Sequence, residues 1–218
     1  MKERGMIFNG EMVRAILDGR KTQTRRIINP QPEATLSGSL SGKWLNRPLN
    51  GLLLPKIEDI AIHCPFGVVG DRIWVRETWA RYNIDQNSHD IAYRATTPAD
   101  WPEEGRWRPS IHMPRWASRI MLEITDVRVE RLQDISEEDA KAEGLAEITK
   151  DGSLFKFGIP DRDGYPGADD NGWPWTEWER NPVDAYCKLW QSIYGEESWQ
   201  ANPWVWVIEF KVASPGGE

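Results

Sequence analysis

The 218-residue chain contains two cysteines and three histidines, and neither residue type occurs in a metal-binding pattern. Cys64 and Cys187 lie far apart without a CxxC pair, which predicts a reduced protein rather than a disulfide framework. His63 is adjacent to Cys64, and adjacent strand residues point to opposite faces, while His89 and His112 show no ligand spacing. P-loop, GxGxxG, GxSxG and HExxH motifs are absent from the sequence. We therefore expect no metal and no cofactor.

Long apolar runs are also missing. No stretch approaches the roughly 18 apolar residues of a membrane helix, and the charged N-terminal sequence MKERGMIFNGEMVRAIL does not resemble a signal peptide. A mean hydropathy of -0.61 and a net charge of -7 predict a cytoplasmic protein without a membrane partner. The length suits one domain with a sizeable core.

The charge is distributed unevenly. Residues 1–30 contain seven basic and three acidic side chains, whereas residues 161–180 contain six acidic and two basic ones. The net acidity argues against tight nonspecific binding of long nucleic acid, which requires many phosphate contacts. It is compatible with a small basic pocket for one nucleotide or nucleoside.

Hydrophobic periodicity and capping residues predict an α+β fold. One helix is expected at 10–18, capped by Asn9 and ended by Gly19, and a strand follows it over KTQTRRII. Further helices are expected at 135–145, capped by Ser136, and at 181–195, capped by Asn181. A turn followed by a strand is expected over 67–79, and strands are expected at 90–95 and 204–212. Residues 117–132 are expected to form one long strand or two consecutive strands.

Two regions interrupt this pattern. The segments at about 28–66 and 146–180 are rich in Gly and Pro, and they read as insertions into a single domain that spans residues 1–218. The strands are expected to be mostly antiparallel and to form a small barrel or curled sheet flanked by a few short helices.

The segment GRKTQTRRI at 19–27 is the leading candidate for chemistry. In a regular strand, Lys21, Gln23 and Arg25 share one face, and Thr24 and Arg26 face the other side. A buried lysine can act as a base, a threonine hydroxyl can act as a nucleophile, and arginine can hold a phosphate or carbonyl. The alternative is a solvated basic strand without chemistry.

The same segment resembles the Gly-x-Lys-x-x-x-x-Arg signature of ASCH domains, which are members of the PUA-like superfamily, through Gly19, Lys21 and Arg26. The resemblance implies a PUA-like β-barrel. Bacterial ASCH amidohydrolases that deacetylate N4-acetylcytidine are similar in this motif, in the helix ISEEDAKAE and in the closing strand VIEFK. Their proposed catalytic lysine, threonine and glutamate fall on Lys21, Thr24 and Glu143. The tryptophan-rich strands resemble longer ASCH-type proteins of phages and prophages instead.

The resemblance implies hydrolysis of an acyl-amide on a pyrimidine nucleoside. Lys21 would act as base, and Glu143 would position it or assist the leaving amine. The substrate-binding residues would be Gly19, Arg25, Arg26 and Trp79, with Trp79 stacking on the base.

Two other classes of function stay open. One is a binding module for RNA or a modified base without catalysis, of which a nuclease is a variant, with Lys21 and arginines on phosphates. The other is an accessory protein that binds a protein partner through the acidic insertion around Trp173, Trp175 and Trp178.

Overall fold

The structure of the protein is a computed structural model. A five-stranded mixed sheet forms its centre. The structure describes residues 1–34, 39–41, 44, 56–81, 90–102, 105–168 and 171–213. The strands are β1 (Glu3–Ile7), β2 (Gln23–Ile27), β3 (Glu33–Ala34), β4 (Leu40–Ser41), β5 (Arg72–Arg76), β6 (Trp79–Arg81), β7 (Ile91–Tyr93), β8 (Met121–Arg131), β9 (Ala146–Thr149), β10 (Phe155–Gly158) and β11 (Trp204–Val212).

Four α-helices and several short 3₁₀ helices surround the sheet. The α-helices are α1 (Gly10–Leu17), α2 (Glu137–Ala142), α3 (Pro182–Tyr194) and α4 (Glu196–Gln200). The 3₁₀ helices span Ile57–His63, Arg94–Thr96, Ser110–His112, Arg115–Ala117, Leu132–Asp134 and Trp175–Glu177. In the described ranges, no helix combines the length and apolar character needed to cross a lipid bilayer.

The central sheet has the strand order β1-β5-β8-β11-β2. β1 pairs with β5 in parallel, and the other three pairings are antiparallel, so the predicted mixture of helices and mostly antiparallel strands is confirmed. The predicted closed barrel is wrong for the described residues, because β1 and β2 are edge strands that do not pair with each other. A barrel requires a backbone ladder between its edges, and here the Arg26 guanidinium reaches the Ile7 carbonyl instead, at 2.7 Å.

β11 is buried on both faces. Trp206, Ile208 and Phe210 pack in a core with α1 and β5, whereas Val205 and Val207 pack in a second core against α3. A strand covered on both sides has no solvent face, which explains the continuous hydrophobic run of its sequence.

The helix ends agree with their capping residues. The Asn9 side chain accepts a hydrogen bond from the Met12 amide at α1, and the Asn181 side chain accepts one from the Val183 amide at α3. Gly19 and Gly195 follow these two helices with φ values of +74° and +87°. Since L side chains avoid this backbone region, glycine ends both helices where the sequence predicts.

Neither β1 nor the β9–β10 hairpin was predicted. β1 is short and lacks a run of β-branched residues, and the β9–β10 hairpin lies inside the second predicted insertion. Trp178 of that insertion is buried, and Lys150 and Lys156 approach the Trp175 ring. These tryptophans therefore pack within the chain. The division of residues 1–218 into a domain with two insertions stays a prediction.

Candidate active site

Lys21 is held between the end of α1 and the end of α2. Its backbone amide donates to the Ala15 carbonyl at 2.9 Å, and the next amide, that of Thr22, donates to the Ala142 carbonyl at 2.9 Å. Lys21 also forms an isolated antiparallel bridge with Glu143. The residues between α1 and β2 thus join the chain that leaves α2, and this junction fixes the lysine beside the glutamate.

Gly144 completes this junction. Its φ is +109°, and a Cβ at this position would lie 2.9 Å from the Ala15 Cβ and 3.1 Å from the Lys21 Cβ. Glycine is therefore required both by the backbone conformation and by the close approach of α1.

The Lys21 and Glu143 side chains form a buried ion pair. The Lys21 Nζ lies 2.8 Å from Glu143 Oε2 and 2.7 Å from the Glu143 carbonyl oxygen. Their side chains are 0% and 3% exposed. Burial lowers the pKa of Lys21 because it disfavours the charged ammonium, and the Glu143 carboxylate opposes part of this shift. The alternative of a solvated basic strand is therefore wrong for Lys21.

Arg25 joins the same network from β2. Its Nη1 lies 3.3 Å from Glu143 Oε1, and its Nη2 lies 2.8 Å from Asp139 Oδ2 and 3.1 Å from Glu130 Oε2. The guanidinium is fully buried. The structure pairs Arg25 with three carboxylates, because a buried arginine requires charge partners. Its contact with substrate stays a prediction.

Arg128 carries the network from the interior towards the surface. Its Nη2 lies 2.8 Å from Asp139 Oδ2, and it also contacts Glu130 and Glu209. Sequence reasoning missed Asp139, Glu130 and Arg128 as members of the site. The available signal was the spacing of Asp139 and Glu143, since residues four apart share one side of a helix.

A small cavity lies beside Glu143. It has a volume of about 20 Å³ and is lined by side chains that include Thr24, Arg25, Tyr186 and Trp190. Trp190 lines this cavity, and its buried Nε1 has no hydrogen-bond partner among the residues that the structure describes. Such a volume suits one water molecule, whereas drug-sized ligands occupy pockets of about 300–1,000 Å³.

The structure brings together only part of the predicted catalytic set. Lys21 and Glu143 are in contact. Thr24 and Glu143 both line the small cavity. Thr24 and Lys21 form no hydrogen bond with each other among the residues that the structure describes. Thr24 is buried and pairs with Ile208 across β2 and β11, so its hydroxyl is enclosed rather than open to solvent.

The remaining predicted substrate-binding residues lie elsewhere. Arg26 is committed to the Ile7 carbonyl and lies over the Phe8 ring. Trp79 is buried in a separate cluster with Met113 and cannot stack on a base there, because a stacking ring must offer an open face. Gly19 is exposed and lines a different groove.

Comparisons with known proteins add one similarity. No protein-family model matches the chain, and no curated protein matches it. A solved structure described as the ASCH domain from Lactobacillus crispatus JV V101 is 13% identical, with 97% of this chain and 79% of that chain covered and a TM-score of 0.37. An identity and a TM-score this low show neither the fold nor the activity of this chain.

Proposed function

We propose that the protein is an ASCH-type amidohydrolase that removes the acyl group from a modified pyrimidine nucleoside such as N4-acetylcytidine. The observation that supports this proposal is the ion pair between Lys21 and Glu143, neither of which reaches solvent appreciably. A fully buried lysine is rare and requires a charge partner, and titratable groups whose pKa is shifted by burial concentrate at functional sites.

The lowered pKa of Lys21 makes a neutral amine available as a base. In the proposed reaction, Lys21 removes a proton from water or from the Thr24 hydroxyl, and the resulting oxygen attacks the acyl carbon. The bond between that carbon and the exocyclic nitrogen breaks, and the leaving amine receives a proton. With water as nucleophile, the products are a carboxylate and the free amino nucleoside. With Thr24 as nucleophile, the amino nucleoside leaves first, and water then hydrolyses the acyl-threonine ester to release the carboxylate and restore the hydroxyl. Glu143 holds the lysine in place throughout.

The substrate must open the small cavity to reach this pair. The wall opposite β2 is formed by α3 side chains, including Tyr186, Trp190 and Tyr194. Trp190 and Tyr194 lie with their ring centroids 4.3 Å apart. We propose that these two aromatic residues move outward when a nucleoside binds, which exposes Lys21 and Glu143 to the acyl group.

The test is release of cytidine from N4-acetylcytidine, followed by chromatography. We expect Lys21→Met and Glu143→Gln to lower turnover at least about 100-fold, the usual contribution of general acid–base groups. Lys141→Met is the control, because Lys141 is a lysine of α2, two residues before Glu143, and its side chain is 46% exposed. Circular dichroism separates lost chemistry from lost folding.

Thr24→Val identifies the nucleophile. Turnover is lost in this variant if the hydroxyl attacks and is retained if water attacks. A folded Lys21→Met variant with wild-type turnover, or a wild-type protein inactive on every acylated nucleoside, contradicts the proposal.

A second candidate is a binding module for a modified base or RNA without catalysis. It is favoured by the cavity of about 20 Å³ and by the pairing of Lys21 and Arg25 with carboxylates. In this case the ligand would occupy an open groove, such as the one of about 410 Å³ lined in part by Phe8, Thr78 and Arg94. It predicts binding of N4-acetylcytidine that Lys21→Met leaves unchanged, with no turnover.

A further inference from the structure

The small cavity beside Glu143 is surrounded by hydrogen-bond donors that lack acceptors. In the part of the chain that the structure describes, seven buried side-chain nitrogens have no hydrogen-bond partner. Three of them, the Nε atoms of Arg25 and Arg26 and the Nε1 atom of Trp190, belong to residues that line this one cavity. Since an unpaired buried donor is costly and rare, three at one place indicate a bound acceptor.

The cavity has room for one small acceptor. Its volume of about 20 Å³ exceeds the roughly 10–15 Å³ that one water molecule needs. A water oxygen accepts two hydrogen bonds and donates two. The lining offers N–H donors on Arg25 and Trp190. It also offers the Glu143 carboxylate as an acceptor and the Thr24 hydroxyl, which can donate or accept. Buried water molecules make two to four such bonds, so the lining suits one water.

Glu143 connects the cavity with the buried lysine. Its Oε2 lies 2.8 Å from the Lys21 Nζ, its Oε1 lies 3.3 Å from the Arg25 Nη1, and its side chain lines the cavity. A water in the cavity therefore meets the carboxylate of the ion pair. A proton that this water releases is taken up by the pair, whose neutral amine and carboxylate become ammonium and carboxylate.

Arg25 is the donor that stays in place when the cavity opens. Its Nη2 is held by Asp139 at 2.8 Å and by Glu130 at 3.1 Å, so carboxylates fix the orientation of the guanidinium. Trp190 belongs to the α3 wall, for which outward movement is proposed above. When its indole N–H leaves the water, one lone pair of the oxygen becomes free to meet the acyl carbon.

We propose that this cavity binds a single water molecule, that this water is the nucleophile of the proposed reaction, and that Arg25 positions it through its Nε. The water oxygen bonds to the acyl carbon, and one water proton passes to the pair of Lys21 and Glu143. The bond between the acyl carbon and the exocyclic nitrogen breaks, and the departing nitrogen receives that proton. This inference rests on the proposed function and decides between its two nucleophiles.

The water site is tested without turnover, in a crystal structure of the wild-type protein that resolves ordered water. We expect one water within about 2.7–3.2 Å of both the Arg25 Nε and the Trp190 Nε1. Trp178 is the internal control, because its indole is as buried as that of Trp190 but donates to the Trp173 carbonyl at 2.8 Å. A dry cavity, or a protein acceptor placed on these donors, overturns the inference.

The nucleophile is tested with N4-acetylcytidine. We expect Thr24→Val to lower turnover by no more than about tenfold, the effect of losing one hydrogen bond to the water. Mass spectrometry of wild-type protein quenched during turnover should show no acyl group on Thr24. An acylated Thr24, or a folded Thr24→Val variant without turnover, overturns the inference and leaves the proposed function intact.

Arg25→Lys tests the positioning role. Lysine keeps the positive charge beside the carboxylates but lacks the Nε–H of the guanidinium. We expect kcat to fall about 100-fold, as misplacement of a reacting group does, with KM unchanged because Arg25 contacts the water and not the nucleoside. Arg119→Lys is the matched control, since Arg119 also pairs with a buried carboxylate, that of Glu77, at 2.9 Å outside the site.

The outcomes separate this inference from the proposed function. An Arg25→Lys variant with raised KM and unchanged kcat would show that Arg25 binds the substrate instead, and it would overturn the positioning role. If circular dichroism shows that Arg25→Lys does not fold, the wild-type crystal structure and the Thr24 experiments decide. A wild-type protein without turnover removes the nucleophilic role together with the proposed function, whereas the crystal structure still decides the water site.

Discussion

The protein contains two groups of cationic side chains that differ in their surroundings. Lys21 and Arg25 lie in the interior, with side chains that are 0% exposed and paired with Glu143. Arg106 and Arg108 lie on the surface beside tryptophans and pair with no described carboxylate. In the sequence, both groups appear as short runs rich in basic residues.

The difference shows how burial selects the partners of a charge. Moving an ion out of water costs several kcal/mol, so a buried cation persists only beside carboxylates that meet it closely. An exposed arginine remains hydrated and needs no partner, which leaves it available for a ligand. The interior group is therefore the one that the proposed reaction uses, whereas the surface group stays hydrated.

Removing a carboxylate from the interior group should give the largest effect. Glu143→Ala removes the carboxylate partner of the buried Lys21 and one of the three carboxylates around Arg25. We expect the free energy of unfolding to fall by about 3–5 kcal/mol. Urea denaturation followed by circular dichroism measures this change.

Glu147→Ala is the control for that experiment. Glu147 pairs with Lys141 on the surface, where both side chains are more than 40% exposed, and an exposed pair contributes about 0.2–1 kcal/mol. Equal losses in the two variants would mean that the interior network is hydrated, and the contrast between the two groups would disappear.

An effect of intermediate size is expected in the pH dependence of stability, which tests the burial of Lys21 in the interior group. Burial lowers the folded-state pKa of Lys21 below its unfolded value of about 10.4. Between these two values the unfolded chain binds more protons, so this lysine makes stability rise with pH. The difference in free energy of unfolding between wild type and Lys21→Met should increase with pH towards about 10.4, with a slope of at most about 1.4 kcal/mol per pH unit.

Urea denaturation at several alkaline pH values measures that difference. Lys141→Met shows the background from losing one surface lysine, that of α2. A difference that decreases as pH rises would show that Glu143 raises the pKa of Lys21 more than burial lowers it, which would remove the neutral base from the proposed mechanism.

The smallest effect is expected on the surface. Replacing Arg106 and Arg108 together by alanine should change the free energy of unfolding by less than about 0.5 kcal/mol, because exposed residues without specific partners contribute little to folding. Thermal unfolding measures this change. A loss above about 1.5 kcal/mol would show that the packing of Arg108 on Trp79 holds the fold, and that the surface group is structural like the interior one.

Much of the local structure was predictable. The capping residues Asn9 and Asn181 and the glycines that follow α1 and α3 mark the ends of those helices, because capping depends on neighbouring residues only. The resemblance to ASCH domains placed Lys21 and Glu143 in one site, and the structure places them in contact. Their catalytic roles stay predictions.

Other parts could not be predicted from local patterns. The pairing of Arg25 with Glu130 and Asp139 joins residues more than 100 positions apart, and the parallel pairing of β1 with β5 joins two strands separated by α1 and β2. Trp79 and Trp116 occur in similar sequence surroundings, yet one is buried and the other is 60% exposed. No periodicity within a single segment contains this information.

The sequence by itself determined the positions of the helix ends, the main strands and the concentration of charge at 19–27 and 105–121, since each depends on residues close together in the chain. The tertiary structure alone decided which of these charges are buried. That outcome follows from which elements pack together: α2 covers Lys21 and Arg25 with carboxylates, whereas the described residues place no carboxylate against Arg106 or Arg108.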